Sequence, residues 1–346
     1  MSWNVVLPFA SSLLSFVFAY LLYEQWHERR RPYQLVWMLG MLWYGISAGT
    51  EFLGGAFGWS EGLYRVWYLV GAVYVAAWLG LGTVFLLART RFGYAYALSL
   101  LLAGLFTYLT ALRYQYPDSY GTEYLYLAIA VALAIVIVVL TFRGDQRWSL
   151  VAGWATVLGS IAAALLVATA FIPNPPGYSV DPTTGIPEAS LFPGYLRLMT
   201  PLFNITGGFA LAFGALYSAY VFMPKHRVIH YSLARSQSPG TFLANLLVGV
   251  VAVPVNFAVS LPGAIGDLLH GRLNSRVPST ILIALGGFIP SITSGANRFG
   301  MTNAFFIGEL LGALFLFLGF IASIEVFPEV RVPFTGKVLF ARRAQA

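Results

Sequence analysis

Apolar residues run along this chain in blocks of about 20, bounded by charged turns or by turns rich in glycine and proline. Stretches such as 125–140 and 304–324 lack the polar face that a helix in water needs, apart from Glu309 in the second. A block of that length and character is a membrane-spanning helix. The pattern predicts spans at 4–23, 33–54, 63–87, 93–113, 123–142, 148–171 and 196–222, then at 279–296 and 303–326. Between the last two groups lies "TFLANLLVGVVAVPVNFAVSLPGAIGDLL", interrupted by Pro254 and Pro262 and carrying Asn245, Asn256 and Asp267. Such a segment either crosses, with its lost hydrogen bonds repaired by neighbours, or re-enters or lies in the interface.

The loops alternate in charge. "HERRR", "ARTR", "FRGDQR" and "MPKHRVIHYSLAR" are basic, whereas "GGAFGWSEG", "YQYPDSYGTE" and the proline-rich 173–195 stretch are acidic or neutral. Basic loops stay on the cytoplasmic side, so the first seven helices are expected to run from an outside N-terminus to an inside C-terminal end. The first apolar block has its positive cluster, Arg29–Arg31, after it and no basic residue before it, which predicts an uncleaved first helix. If the proline-interrupted segment returns to the inner side, sixteen of the 20 Lys and Arg lie inside and four outside; if it crosses, the division becomes eleven against nine. The first arrangement obeys the charge rule. It gives an all-α polytopic bundle of nine spans with one re-entrant or interfacial segment and an inside C-terminus. The domain division is a seven-helix bundle at 1–224, a linker with the re-entrant or interfacial segment at 225–277, and a C-terminal hairpin with a short basic tail at 278–346. The expected location is a cell membrane, the cytoplasmic membrane of a bacterium.

Composition narrows the chemistry. Hydrophobic residues are 58 % of the 346 and charged residues 10 %, against roughly 25 % charged in soluble domains. The net charge of +7 sits in short loops beside apolar spans rather than on a basic helix, so nucleic acid is not an expected partner. Zero cysteines exclude disulfides, thiolate metal sites, cysteine nucleophiles and palmitoylation. Lys225 and Lys337, the only lysines, lie in loops, so the seventh span has no anchor for a retinal Schiff base. His27, His226, His230 and His270 lie in predicted inner loops, where no haem inside the bundle could use them. Neither a P-loop nor an HExxH motif occurs. No cofactor, metal or catalytic residue is expected, and an enzyme would have only Glu51 and Glu309 to work with inside the spans.

Small residues four apart (Ser11, Ser15 and Ala19; Gly45 and Gly49; Ala155, Gly159 and Ala163; Gly308 and Gly312) predict close helix packing, within the chain or between copies. Trp67, Gly71, Tyr74 and Trp78 follow a helical spacing on one face, as core, lipid contact or the wall of an aromatic pocket.

One polar set stands out at the outer side. Arg65, Arg113, Arg197 and Arg298 are the four arginines that disobey the charge rule, and Glu51 and Glu309 lie inside spans, each within roughly 10 Å of the outer face by helical rise. Ionisable groups in a span are costly unless paired, and they mark function. Two readings follow. Ion pairs such as Glu51–Arg65 and Glu309–Arg298 would pin helix ends. Alternatively the six line an outward-opening pocket that grips an anionic lipid or solute, with 173–195 as its lid. The second gives a ligand- or lipid-binding, permease-like protein. The alternative function is a non-catalytic accessory or scaffold subunit of a larger membrane complex, as homo- or hetero-oligomer. Against transport, the two halves show no inverted repeat.

Overall fold

The computed structural model describes residues 3–172, 192–234, 238–270, 272–297, 302–323, 329–331 and 338–341. The helices are α1 (Trp3–Arg29), α2 (Pro32–Phe57), α3 (Glu61–Trp67), α4 (Val75–Leu86), α5 (Gly93–Tyr114), α6 (Thr122–Arg143), α7 (Arg147–Thr169), α8 (Gly194–Phe222), α9 (Pro239–Leu269), α10 (Arg276–Asn297) and α11 (Thr302–Ala322). A π-helical stretch, Tyr68–Tyr74, joins α3 to α4, so the three form one span. Local signals set the ends. Pro32 occupies the first turn of α2, Ser60 Oγ accepts from Leu63 N to cap α3, and Gly144 ends α6 at φ 71°. The all-α bundle read from the sequence is present. Beyond it β1 (Glu329–Arg331) and β2 (Val338–Ala341) form a small antiparallel ribbon that no alternating apolar pattern announces.

Consecutive spans run antiparallel, so the turns fall at two ends. Arg29–Arg31, Arg89–Arg91, Arg143–Arg147 and Lys225–Arg227 gather at a basic end, and the 58–60 and 115–121 turns at the far end. Helix α8 is central and packs on α4, α5 and α10. Its crossing with α4 is the tightest, because a Cβ on Gly80 or Gly207 would overlap the backbone of the opposing helix. On one side α1, α2, α10 and α11 share a core with α8 through Phe18, Trp37, Tyr44, Ala313, Leu316 and Phe320. On the other, α5, α6 and α7 close the bundle, and much of α6 and α7 faces outward with Leu125, Ile135, Leu158 and Leu165 exposed, as lipid contact requires.

By length and composition alone, nine helices among the described residues could cross a membrane, a set that includes 240–269 and omits α2. Packing reverses both assignments. Helix α2 lies along the whole of α1, from Gln34 against Gln25 at one end to Gly55 against Val5 at the other. It is less apolar because it carries Gln34, Ser47, Thr50 and Glu51, all buried among neighbours. Among the described residues, helix α9 touches the basic end. Phe242 packs on Tyr94 and Phe142, where α5 begins and α6 finishes. Twenty-two residues later, roughly 33 Å along the helix, Ala264 packs with Met223 and Val277, where α8 finishes and α10 begins. A spanning helix would bring only one of its ends to that side. Between these contacts the 226–232 loop runs along α9. Asn256 accepts from Val228 N and Ile229 N and donates to Ile229 O, Ser260 Oγ accepts from His226 N, and Asn245 accepts from Ser232 N. Burial against Gly249 raises the Tyr231 phenol above its ordinary range. Helix α9 therefore lies across the basic end, while α1, α2, α3–α4, α5, α6, α7, α8, α10 and α11 run between the two ends of the bundle.

Candidate functional site

Tyr44, Ser47 and Glu51 lie at i, i+3 and i+7 on α2, on one stripe of its surface. Opposite stand α11 and the irregular third span. The stripe is buried, with Glu51 5 % exposed and Glu309 8 %. The two carboxyl groups lie within hydrogen-bonding reach of each other. Glu51 Oε1 accepts from Trp67 Nε1 at 2.9 Å, and Tyr44 OH donates to the backbone oxygen of Glu309 at 2.7 Å. Glu51 Oε2 and Glu309 Oε2 are buried and meet no donor among the described residues. Two facing carboxylates in low dielectric would repel each other, which makes a doubly charged pair costly.

The π-helical stretch explains the third span's reach. One face of an unbroken α-helix would carry Trp67, Gly71, Tyr74 and Trp78, as the sequence suggests. Instead the wider turn changes the phase. Trp67 and Gly71 face α2, at Glu51 and Ser47. Tyr74 packs on Trp43 of α2 and donates to Ser160 O of α7, and Trp78 donates to Ser160 Oγ. The aromatic stripe is thus a bridge between α2 and α7 rather than a single wall.

The expected ion pair Glu51–Arg65 does not form. Arg65 pairs with Glu61, one turn before it at 2.7 Å, and donates to the carbonyls of Val167 and Ala170 at the end of α7. The physical reason is proximity. Glu61 is one turn away on the same helix, and the terminal carbonyls of α7 attract a cation. Arg197 is half-buried, with its guanidinium 4.5 Å from the centre of the Tyr116 ring. Arg113 is exposed at the end of α5. Arg298, and with it the Glu309–Arg298 pair, lies outside the described residues. Of the six residues singled out in the sequence, the structure brings Glu51 and Glu309 together and turns Arg65 elsewhere. Tyr44 and Trp67 complete the site. Tyr44 was not singled out in the sequence, although it stands seven residues before Glu51 on the same helical face, and Trp67 was noted only as a member of the aromatic series.

A cavity of about 190 Å³ opens at the basic end, lined by Arg89, Thr90, Arg91, Thr141, Asp145 and Gln146. It is separate from the carboxyl pair, and Arg91 there donates to Leu233 O of the loop that holds α9. Comparison with protein-family models, curated proteins and solved structures gives no match to this chain.

Proposed function

We propose that this polytopic membrane protein is a ligand-binding, permease-like protein whose binding site opens toward the far end of the bundle. The basic end faces the cytoplasm in this reading, which puts the N-terminus outside and the C-terminus inside a bacterial cytoplasmic membrane. The three working parts are the seven-helix portion 1–224, the linker and interfacial helix 225–277, and the C-terminal hairpin 278–346. One observation carries the proposal: two buried carboxyl groups inside the membrane face each other rather than a structural cation among the described residues. Apolar contacts would pin the two helices without placing two ionisable groups in low dielectric, and intramembrane ionisable residues commonly mark the path of an ion or solute.

The ligand we assign is an anionic lipid or solute held at the far end by Arg113, Arg197 and Arg298, with Glu51 and Glu309 below them. Arg65 has its donors taken up by Glu61 and by α7. The test is thermal melting of the detergent-solubilised chain with phosphatidylglycerol, phosphatidylcholine or inorganic phosphate. Stabilisation by the anionic probes, lost in Arg197→Ala and Arg113→Ala with the unliganded melting point little changed, supports a binding site. If no anion stabilises the parent, the scaffold reading replaces this one.

A further inference from the structure

We infer that the Glu51–Glu309 pair is a proton-binding site whose proton holds α2 against α11, and that its loss releases the C-terminal hairpin from α2. This deepens the permease-like reading by naming the coupling ion, and it rests on that reading only for the word coupling.

Each carboxyl group belongs to a different hairpin, Glu51 to α1–α2 and Glu309 to α10–α11. With one proton on the pair there is one negative charge, and the Trp67 N–H is placed to stabilise it. The remaining oxygens, Glu51 Oε2 and Glu309 Oε2, are buried without donors among the described residues, so a proton bridging the groups is the natural occupant. When that proton leaves for the solution at the far end, two carboxylates remain side by side. Their repulsion in a medium of low dielectric acts across the seam between the hairpins.

A second observation concerns α1. Ser11 and Ser15 are wholly buried, and their hydroxyls have no partner among the described residues. They precede Phe18 by seven and three residues on the face of α1 that meets Phe317 and Phe320 of α11. The two helices are parallel, and seven residues before Phe317 is Leu310, the neighbour of Glu309. Ser11 is therefore level with the carboxyl pair, on the same seam, and is a hydroxyl able to donate or accept as the pair changes charge.

Among the described residues, other titratable groups turn away from the pair. From α2 Tyr44 is the titratable neighbour, bonded to the Glu309 backbone. On the third span Glu61 and Arg65 turn to each other and to α7, Tyr74 turns to Ser160, and Tyr68 stacks on Phe192. Residues 4–15 of α1 carry no titratable side chain, α11 carries only Glu309, and Arg276 of α10 lies at the basic end. Arg197 of α8 stacks on Tyr116. Arg298 lies outside the described residues.

The absence of native cysteine makes the test direct. Spin labels on Leu53→Cys and Ile307→Cys, both exposed near the far ends of α2 and α11, report the separation of the hairpins by pulsed electron paramagnetic resonance. The expected result is a distance that lengthens as pH rises in the parent, and one that is independent of pH in Glu51→Gln and in Glu309→Gln. The glutamines keep a hydrogen-bonding group but cannot leave a second charge. A parent distance that ignores pH, or an unchanged pH response in both glutamine variants, overturns the proposal. If one variant fails to fold, the other decides. Repeating the series in sodium chloride and choline chloride tests the rival ion, because a distance that follows sodium rather than pH also overturns it. A pH-dependent distance in a protein that no anion stabilises would keep the proton site and reject the anion pocket.

Discussion

Two regions of this molecule bury polar side chains in an otherwise apolar chain, and they do so in opposite ways. At the basic end, Asn256 and Ser260 of α9 meet backbone groups of 226–229, and both oxygen and nitrogen of the Asn256 amide are used. At the far end, Glu51 and Glu309 meet each other, and each keeps an oxygen without a donor among the described residues. The first is an anchor, since a polar group whose bonds are all made to a neighbouring backbone fixes one arrangement. The second has more than one charge state and so more than one arrangement. Counting polar residues in spans does not separate these cases, whereas accounting for their partners does.

The comparison can be broken most forcefully at the anchor. Asn256→Ala removes three hydrogen bonds and leaves part-buried backbone groups of Val228 and Ile229 unmet, so it should cost about 2–3 kcal/mol and lower the melting point of the detergent-solubilised protein. Cysteine labelling of Leu247→Cys would then show whether α9 has left the basic end. A melting point equal to the parent's would mean that the loop does not hold α9.

At the carboxyl pair the expected effect depends on pH. If the pair holds a proton as proposed, the contact it supports between α2 and α11 is lost when that proton leaves at higher pH. The parent should melt progressively lower toward alkaline pH, and Glu51→Gln should flatten that slope. Equal slopes in the two proteins would make the pair electrostatically silent. Trp67→Phe keeps the ring but removes the donor to Glu51, with an expected loss of about 1–2 kcal/mol, largest where the carboxylate is charged. A loss independent of pH would mean that only packing had changed.

The smallest effect belongs to Arg65→Ala. Its partner Glu61 is half-exposed at 49 %, so the ion pair itself contributes little, and the loss of the carbonyl contacts should bring the total to about 1 kcal/mol. Hydrogen exchange at the end of α7 should rise locally. If Arg65→Ala removed the pH dependence as well, Arg65 would belong with the carboxyl pair after all.

Much of this architecture was legible in the residues because spans announce themselves by length and apolarity. The Lys and Arg counts pointed to a re-entrant or interfacial 241–270, and in the structure α9 lies across the basic end. Glu51 and Glu309 were visible as the carboxylates inside spans. Their partnership was not, because it is made between α2 and α11, and Tyr44 reaches Glu309 across 265 positions of sequence. The π-helical stretch was also hidden. Its extra width answers packing against α2 and α7, and nothing in "YLVGAVY" demands it. Opposite charge suggested that Glu51 would seek Arg65, but Glu61 lay nearer on the same helix.

The in-plane course of α9 also gives the molecule a different footprint in each leaflet. Its outward side chains, among them Leu243, Leu247, Val251 and Ile265, are apolar and exposed along a rod roughly 33 Å long and about 10 Å wide. The described residues include no matching helix laid across the far end, so the two ends of the bundle present different surfaces to their surroundings.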